Sequence, residues 1–161
     1  MKTFIVDKSI IDLFDSNDFG QLEKLANIHR INCLAGLKSA SHGWLGACFS
    51  GIDILSSIYH RFIPNPSIES TQRGALHMSK GHAAMAQYAI LAALGCFELE
   101  RLNTYKQLDG LPAHCDRSVP GVDSDSGSLG QGLSKAIGNA LSNNIDSTEI
   151  KPVFALMGDG E

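Results

Sequence analysis

Val153-Phe154-Ala155-Leu156-Met157-Gly158-Asp159-Gly160-Glu161 is the stretch on which the reading of this chain turns. Its first four residues are a short apolar run, which reads as a buried strand. The strand delivers an acidic side chain between two glycines. Gly158 and Gly160 allow the backbone to approach a ligand closely, and Asp159 offers a hard oxygen to Mg2+ or Ca2+. Such a unit can hold a divalent cation against a phosphate. Gly-Asp-Gly is equally ordinary turn chemistry, so the stretch alone leaves both readings open.

Working outward, the 161 residues form one expected domain, 1–161, and 43% of them are hydrophobic, as in a globular protein with a sizeable core. Thirteen basic and seventeen acidic residues give a net charge of -4 with no basic block, which argues against a nucleic-acid partner. The longest apolar stretch, Ala83 to Leu94, is interrupted by Gln87 and is too short to span a bilayer. With no leader pattern at the N-terminus, a cytoplasmic location is expected, away from membranes. Cys33, Cys48, Cys96 and Cys115 are scattered without a C-x-x-C pair, so reduced, buried thiols are expected rather than a zinc knuckle or disulfide framework.

In chain order, residues 1–17 show no sustained period and read as a lead-in. Asp18 can cap a helix that Gln21 closes with a capping box. Leu22, Leu25, Ile28 and Ile31 then mark its apolar stripe to about Lys38. Ser39 to Ser50, rich in Gly, Ser and Ala, reads as a loop. Ser50 and Asp53 predict a second capping box, leading a helix with apolar positions Ile54, Leu55, Ile58, Tyr59 and Phe62, which Pro64 and Pro66 end. Ala83 to Leu94 predicts a helix buried all round, stopped by Gly95, and a shorter helix is expected over about Glu98–Gln107. Residues 108–127 contain two prolines, four aspartates and three glycines, a breaker density that points to a long functional loop. Gly127-Ser128-Leu129-Gly130-Gln131-Gly132 opens a helix to about Leu141, and Pro152 precedes the closing strand. One strand among helices cannot satisfy its own backbone, so further strands are expected from more chain or from a partner.

Three histidines stand beside small residues in loops or at helix starts: His42, His82 in Ser79-Lys80-Gly81-His82, and His114 in Ala113-His114-Cys115. An imidazole there can donate to phosphate or to a substrate hydroxyl, although surface and packed histidines are commoner. His29, His60 and His77 fall in or beside helices and receive no function. Gly127 to Gly132 lacks the G-x-G-x-x-G order and follows no strand, which excludes a dinucleotide fold. Its glycines would instead bring backbone groups to a flat ring, with Leu129 as an apolar contact. Cys115, with no base-orienting group nearby in sequence, reads as an inert thiol.

Taken together these blocks resemble the N-terminal half of transketolase, the thiamine-diphosphate domain. Gly46-Ala47-Cys48-Phe49-Ser50-Gly51-Ile52-Asp53-Ile54-Leu55 is similar to the family's first conserved helix, and Ser79-Lys80-Gly81-His82-Ala83 to its S-x-G-H-A block. His114 stands where the family has G-H-P, Gly127 to Gly132 matches G-S-L-G-Q-G, and Gly158-Asp159-Gly160-Glu161 matches the opening of the thiamine-diphosphate motif. Order and spacing hold from about residue 20 to the end.

The resemblance implies an α/β thiamine-diphosphate-binding fold, with this chain as its mostly helical N-terminal part plus the first strand of the parallel sheet. It implies that Asp159 binds the metal, flanked by Gly158, and that Gly160 donates its N–H to the diphosphate. His82 would hydrogen-bond diphosphate and substrate, His114 would meet the hydroxyl of the transferred two-carbon unit, and Gly127, Ser128 and Leu129 would line the cofactor rings. Three positions depart from the family. Trp44 takes its histidine position, Arg73-Gly74 replaces Arg-Asp, and Ala113-His114-Cys115 replaces G-H-P. The family's second metal ligand and its pyrimidine domain are not among these residues. A partner subunit carrying the pyrimidine domain is therefore expected, in a homo- or hetero-oligomer, with the chain alone inactive and acting on small sugars once assembled. Two other expectations stay open: another thiamine-diphosphate enzyme component, of the deoxyxylulose-phosphate synthase or 2-oxo acid dehydrogenase type, and a non-catalytic assembly module on the same fold.

Overall fold

The helix that begins at Asp18 does so because the Asp18 carboxylate accepts from the Gly20 and Gln21 amides at 2.8 and 3.1 Å. In this computed structural model, which describes residues 6, 8–68, 72–146 and 150–161, α2 runs Phe19–Ala40 after a short α1, Lys8–Ile11. Gln21 does not close a box on Asp18; its side chain accepts from the Asp15 amide instead. Ser41, at φ 58, ends α2 by donating its amide to the Lys38 carbonyl. The buried face follows Leu22, Leu25, Ala26, His29, Cys33, Gly36 and Leu37, a 3.6-residue period. The three-residue steps expected from Ile28 to Ile31 drift off that face, and Ile31 is exposed.

Helix α3, Leu45–Arg61, starts five residues before the expected Ser50, and the loop between α2 and α3 shrinks to residues 41–44. Ser50 lies inside the helix, its hydroxyl donating to the Ala47 carbonyl, and the Ser50–Asp53 box is not formed. Packing overrides the loop-like composition, because the early start carries Cys48 into the core with Ile52, Leu55 and Tyr59. Ile54 and Phe62, expected on the apolar face, are exposed.

Helix α4, Ala84–Ala93, is buried on every side, as its alanine content predicts, and Gly95 (φ +82) follows it. Gln87 is the polar member of this helix. Its amide donates to the Tyr59 hydroxyl at 2.7 Å and accepts from the Cys115 thiol at 2.8 Å, so neither half is left unpaired. Gly36 lets α2 approach: a Cβ there would sit 2.8 Å from the Met85 sulfur. The helix expected over 98–107 is a shorter 3-10 turn, Leu99–Thr104.

A strand absent from the sequence reading, β1 (Ala75–Met78), pairs in parallel with β2 (Val153–Leu156), in register Ala75↔Val153 to Met78↔Leu156. The closing strand is thus not alone in the chain. It is also less buried than expected, since only Leu156 is fully covered. Side chains alternate across the pair. Leu76, Met78, Phe154 and Leu156 face the helical core, where Leu156 meets Gly51 and Phe154 meets Phe62. His77 faces the other way, to α5 (Gln131–Asp146), accepting from the Asn139 amide and bonding Ser124. Helices therefore cover both faces of a parallel pair, the layering of an α/β protein.

The loop 108–127 is irregular as predicted, and it is tied to the sheet. Asp123 forms a buried ion pair with Arg73 at 2.8 Å and accepts the Leu76 amide on the edge of β1 away from β2. Arg73 also donates to the carbonyls of Pro66, Ile68 and Gly74, so its charge is fully engaged.

Candidate functional site

In open parallel sheets ligands collect outside the carboxyl ends of the strands. Here both strands end together: the amides of Ser79 and Lys80 donate to the Leu156 carbonyl at 2.9 and 3.0 Å, which sets Ser79 to His82 beside Met157 to Glu161. The glycine block before α5 closes the third side. A Cβ on Gly132 would lie 2.4 Å from the Ser79 Cβ, so only glycine permits α5 to start this close to β1.

Glu161 ties the three segments. Its carboxylate accepts from the Ser79 hydroxyl, from the Gly130 amide at 2.9 Å and from the Gly158 amide at 3.0 Å. The Ser79 hydroxyl oxygen accepts in turn from the Gly130 and Gly132 amides. Partial burial pushes the Glu161 carboxyl up, but the Ser79 hydroxyl and the two amides outweigh it and hold the group below its ordinary value. Neither Glu161 nor Ser79 stands out in the sequence as a site residue; their signal is a place inside two glycine-flanked blocks, each offering a polar group beside bare backbone.

Within this frame Asp159 and Gly160 are exposed at the tip of the turn. The ion pairs among the described residues, Arg30–Asp53 and Arg73–Asp123, lie elsewhere, and the Asp159 carboxylate takes no hydrogen bond from any of those residues. Gly160 has open space around its Cα. Among the described residues no three His, Cys, Asp or Glu side chains cluster to form a ready metal site.

Two of the three histidine candidates come together and the third does not. His82 and His114 lie with ring centroids 5.7 Å apart, and Trp44 stacks on His82 at 4.4 Å and on the flank of His114 at 5.5 Å. His114 is held through its backbone: the buried Tyr88 hydroxyl donates to its carbonyl at 2.6 Å, and the Tyr105 hydroxyl donates to that of Ala113 at 2.8 Å. Cys115 and Ser126 bond each other reciprocally, which folds the loop so that Gly127 reaches His114. Gly127 has φ +120, and Gly81 approaches so near that a Cβ would stand 2.8 Å from the His114 ring and 3.0 Å from the Gly127 nitrogen. Burial, then the charges of His82 and Lys106, hold the His114 imidazole below its ordinary value, favouring the neutral ring. Ser128 and Leu129 are exposed beside Gly127.

His42 instead lines a separate hollow of about 350 Å³ with Leu34, Leu37 and Leu45, its ring bonded to the Ala40 carbonyl. His29 and His60 bond each other at 2.8 Å inside the helical layer, and His77 is buried under α5. Cys115 is buried and its thiol is pushed up to about 12, as an inert thiol should be. All four cysteines are free.

The arrangement offers two neighbouring surfaces: an exposed carboxylate at a glycine turn, and a wall of imidazole, indole and bare backbone. Residues 22–159 match the family described as transketolase, thiamine diphosphate binding domain. The chain is 36% identical over 146 residues to a 6-deoxy-6-sulfo-D-fructose transketolase subunit of Clostridium sp. (strain MSTE9), covering 87% of this chain and 52% of that protein. It is 34% identical over 148 residues to an apulose-4-phosphate transketolase subunit of Actinobacillus succinogenes, covering 89% and 53%. The crystal structure of transketolase from Campylobacter jejuni superposes with a TM-score of 0.75 at 30% identity, covering 89% of this chain and 24% of that one. The chain thus spans about half the length of these curated relatives. On the match over residues 22–159, on these identities and on a shared fold, the chain belongs to the transketolase family, within its thiamine-diphosphate-binding domain.

Proposed function

We propose that this chain supplies the diphosphate-side half of a transketolase-type transferase, moving a two-carbon ketol unit between sugars or sugar phosphates with thiamine diphosphate and Mg2+ or Ca2+. The observation that carries the reading is the separation of duties in the 157–161 turn. Glu161 holds Gly158 and Gly130 in place, while the Asp159 carboxylate and Gly160 lie exposed at the tip, outside those hydrogen bonds.

Those groups fit the cofactor's charged end. Asp159 would give the cation one hard oxygen, the remaining ligands coming from diphosphate, water and groups outside this set, because Mg2+ takes six. Gly158 gives the turn its shape, the Gly160 N–H would point at the diphosphate, and the exposed His82 ring would donate to it. Gly127, Ser128 and Leu129 would line the rings, with the left-handed backbone at Gly127 allowing close approach. When bound, thiamine diphosphate supplies carbanion-stabilising chemistry through its thiazolium ring. His114, held neutral and fixed through its carbonyl, would accept and return a proton at the hydroxyl of the transferred unit.

The partner in this reading is a polypeptide carrying the pyrimidine domain, consistent with relatives named as transketolase subunits. Its surface is suggested by α5, where Leu133, Ile137, Leu141 and Ile145 form an exposed apolar row four residues apart. We further propose that the 161 residues alone do not turn over, and that the assembly works in the cytoplasm, in keeping with four free thiols. Among the described residues no helix is long and apolar enough to cross a membrane.

The test is titration of thiamine diphosphate with Mg2+ into the chain joined to its pyrimidine-domain partner. Asp159→Ala should weaken binding about tenfold or more, roughly 1.4 kcal/mol. Wild-type affinity in that variant would remove Asp159 from the metal site.

A further inference from the structure

Lys106 is the charged group of the site wall to which the transferase reading gives no role. It follows the 3-10 turn Leu99–Thr104 and holds φ 61, a left-handed conformation that residues with a Cβ rarely adopt. Its amide donates to the Leu111 carbonyl at 2.8 Å, which locks the backbone in that state. Strained backbone of this kind persists where the surroundings enforce it, and it gathers at binding sites.

The side chain runs from this fixed point onto Trp44, with Nζ 3.9 Å from the indole centroid and 5.9 Å from that of Tyr105. Trp44 is the same ring that stacks on His82 and borders His114. The Lys106 charge reaches His114, where it helps keep the imidazole neutral. Other cations near the wall are engaged: Lys80 donates to the Ser50 hydroxyl, Lys135 to the Asp125 carbonyl, and Arg73 to Asp123. Lys106 has no carboxylate or other acceptor among the described residues. The indole face satisfies one side of the ammonium and leaves its remaining N–H donors directed away from the ring.

We propose that Lys106, carried on Trp44, is a specificity-determining residue that binds the terminal oxyanion of the sugar, a phosphate ester or a sulfonate. This rests on the reading that sugars meet the His82–His114 wall. A compact ammonium suits a tetrahedral oxyanion, to which it presents a point charge without demanding the planar pairing of a guanidinium. A neutral sugar gains nothing from it. The residue thereby selects substrates by charge at the end remote from the carbonyl.

Trp44 is the single tryptophan of the chain, so fluorescence excited beyond the absorption of its three tyrosines reports on this spot alone. The chain is titrated at constant ionic strength with inorganic phosphate, with methanesulfonate and with glycerol. Phosphate or methanesulfonate should give a saturable change, and glycerol none; the tighter of the two anions identifies the ester or the sulfonate. Lys106→Met should weaken the midpoint about tenfold or more. Lys106→Gly, which removes the cation and relieves the left-handed backbone, should do the same with a native circular dichroism spectrum, whereas Lys106→Arg should retain the response. In the assembled enzyme Lys106→Met should raise KM for the anionic sugar with kcat nearly unchanged. Titrations of Lys106→Met and Lys106→Gly within twofold of wild type, or a wild-type chain silent to both anions, would overturn the proposal. Absence of ketol transfer in the assembled wild type, with the anion response intact, would instead overturn the transferase reading and leave the oxyanion site standing.

Discussion

Gly132 and Gly138 lie six residues apart in α5, and replacing each with alanine should move stability in opposite directions. At Gly138 an added Cβ meets nothing within 4 Å and the position is exposed, so only helix propensity acts. Alanine in a helix interior is favoured over glycine by about 0.5–1 kcal/mol, and Gly138→Ala should be stabilising by that amount. At Gly132 the same Cβ would stand 2.4 Å from the Ser79 Cβ, 2.6 Å from its Cα and 2.8 Å from its nitrogen. Two of those three atoms are backbone, at the end of a buried strand, so no side chain can swing aside. Either α5 or the Ser79 segment must shift, an overpacking that costs about 1–3 kcal/mol. The shift would also stretch the bonds from the Gly130 and Gly132 amides to Ser79 and from Gly130 to Glu161. Near the first turn of the helix little propensity is gained in return. The expected difference between the two variants is about 1.5–4 kcal/mol, read by urea unfolding followed by circular dichroism. Equal effects, or a stabilising Gly132→Ala, would refute the close approach of α5 to β1 on which the site's third side depends.

Two further outcomes are expected. Burial holds His29 down to about 3 and His60 down to about 4, against an ordinary value near 6.5. The unfolded chain therefore binds protons first, and stability that is intact above about pH 6.5 should fall toward pH 4 at up to about 2.7 kcal/mol per pH unit for the two groups. Unfolding titrations at several pH values check this, and an equally steep fall in His29→Gln/His60→Gln would exclude the pair as the cause. In the assembled enzyme His114→Ala should lower turnover more than it lowers thiamine-diphosphate affinity; unchanged turnover would take His114 out of the site. Because burial, and then neighbouring positive charge, keep His114 neutral, its acid limb in wild type should lie below the ordinary histidine range.

Much of this protein can be read from sequence where composition and local geometry agree. Ala83 to Leu94 is apolar all round and is the central helix; Asp18 is a capping residue and caps α2; the breakers of 108–127 form the long loop. The misreadings share a cause. Ala75-Leu76-His77-Met78 has no β-branched residue, and four residues show too little alternation to be told from helix, so β1 exists only because β2 and α5 bury it. Ser39 to Ser50 looks like loop, yet burying Cys48 against the His82 carbonyl draws Leu45 to Ser50 into α3. In the site, the glycine turn, His82, His114 and the Gly127 block are legible as motifs with a shared family order. The bonds of Glu161 depend on pairings 31 and 82 residues apart in the chain. No local pattern encodes them, nor the approach of Trp44 to both histidines.

The hydrogen bonds of Glu161 give the turn an unequal tolerance to change. Asp159 makes none of the contacts that shape Met157 to Glu161, so its identity can vary while the turn folds as before. Glu161 touches the ends of both strands and the approach to α5, so altering it alters the geometry of everything around it. Natural or laboratory variation could thus silence or retune the carboxylate at the tip in a single step and leave an intact, assembly-competent fold. A family built this way can shed its chemistry and keep its scaffold, and sequences with a changed residue at 159 but a retained Glu161 should prove as stable as this one.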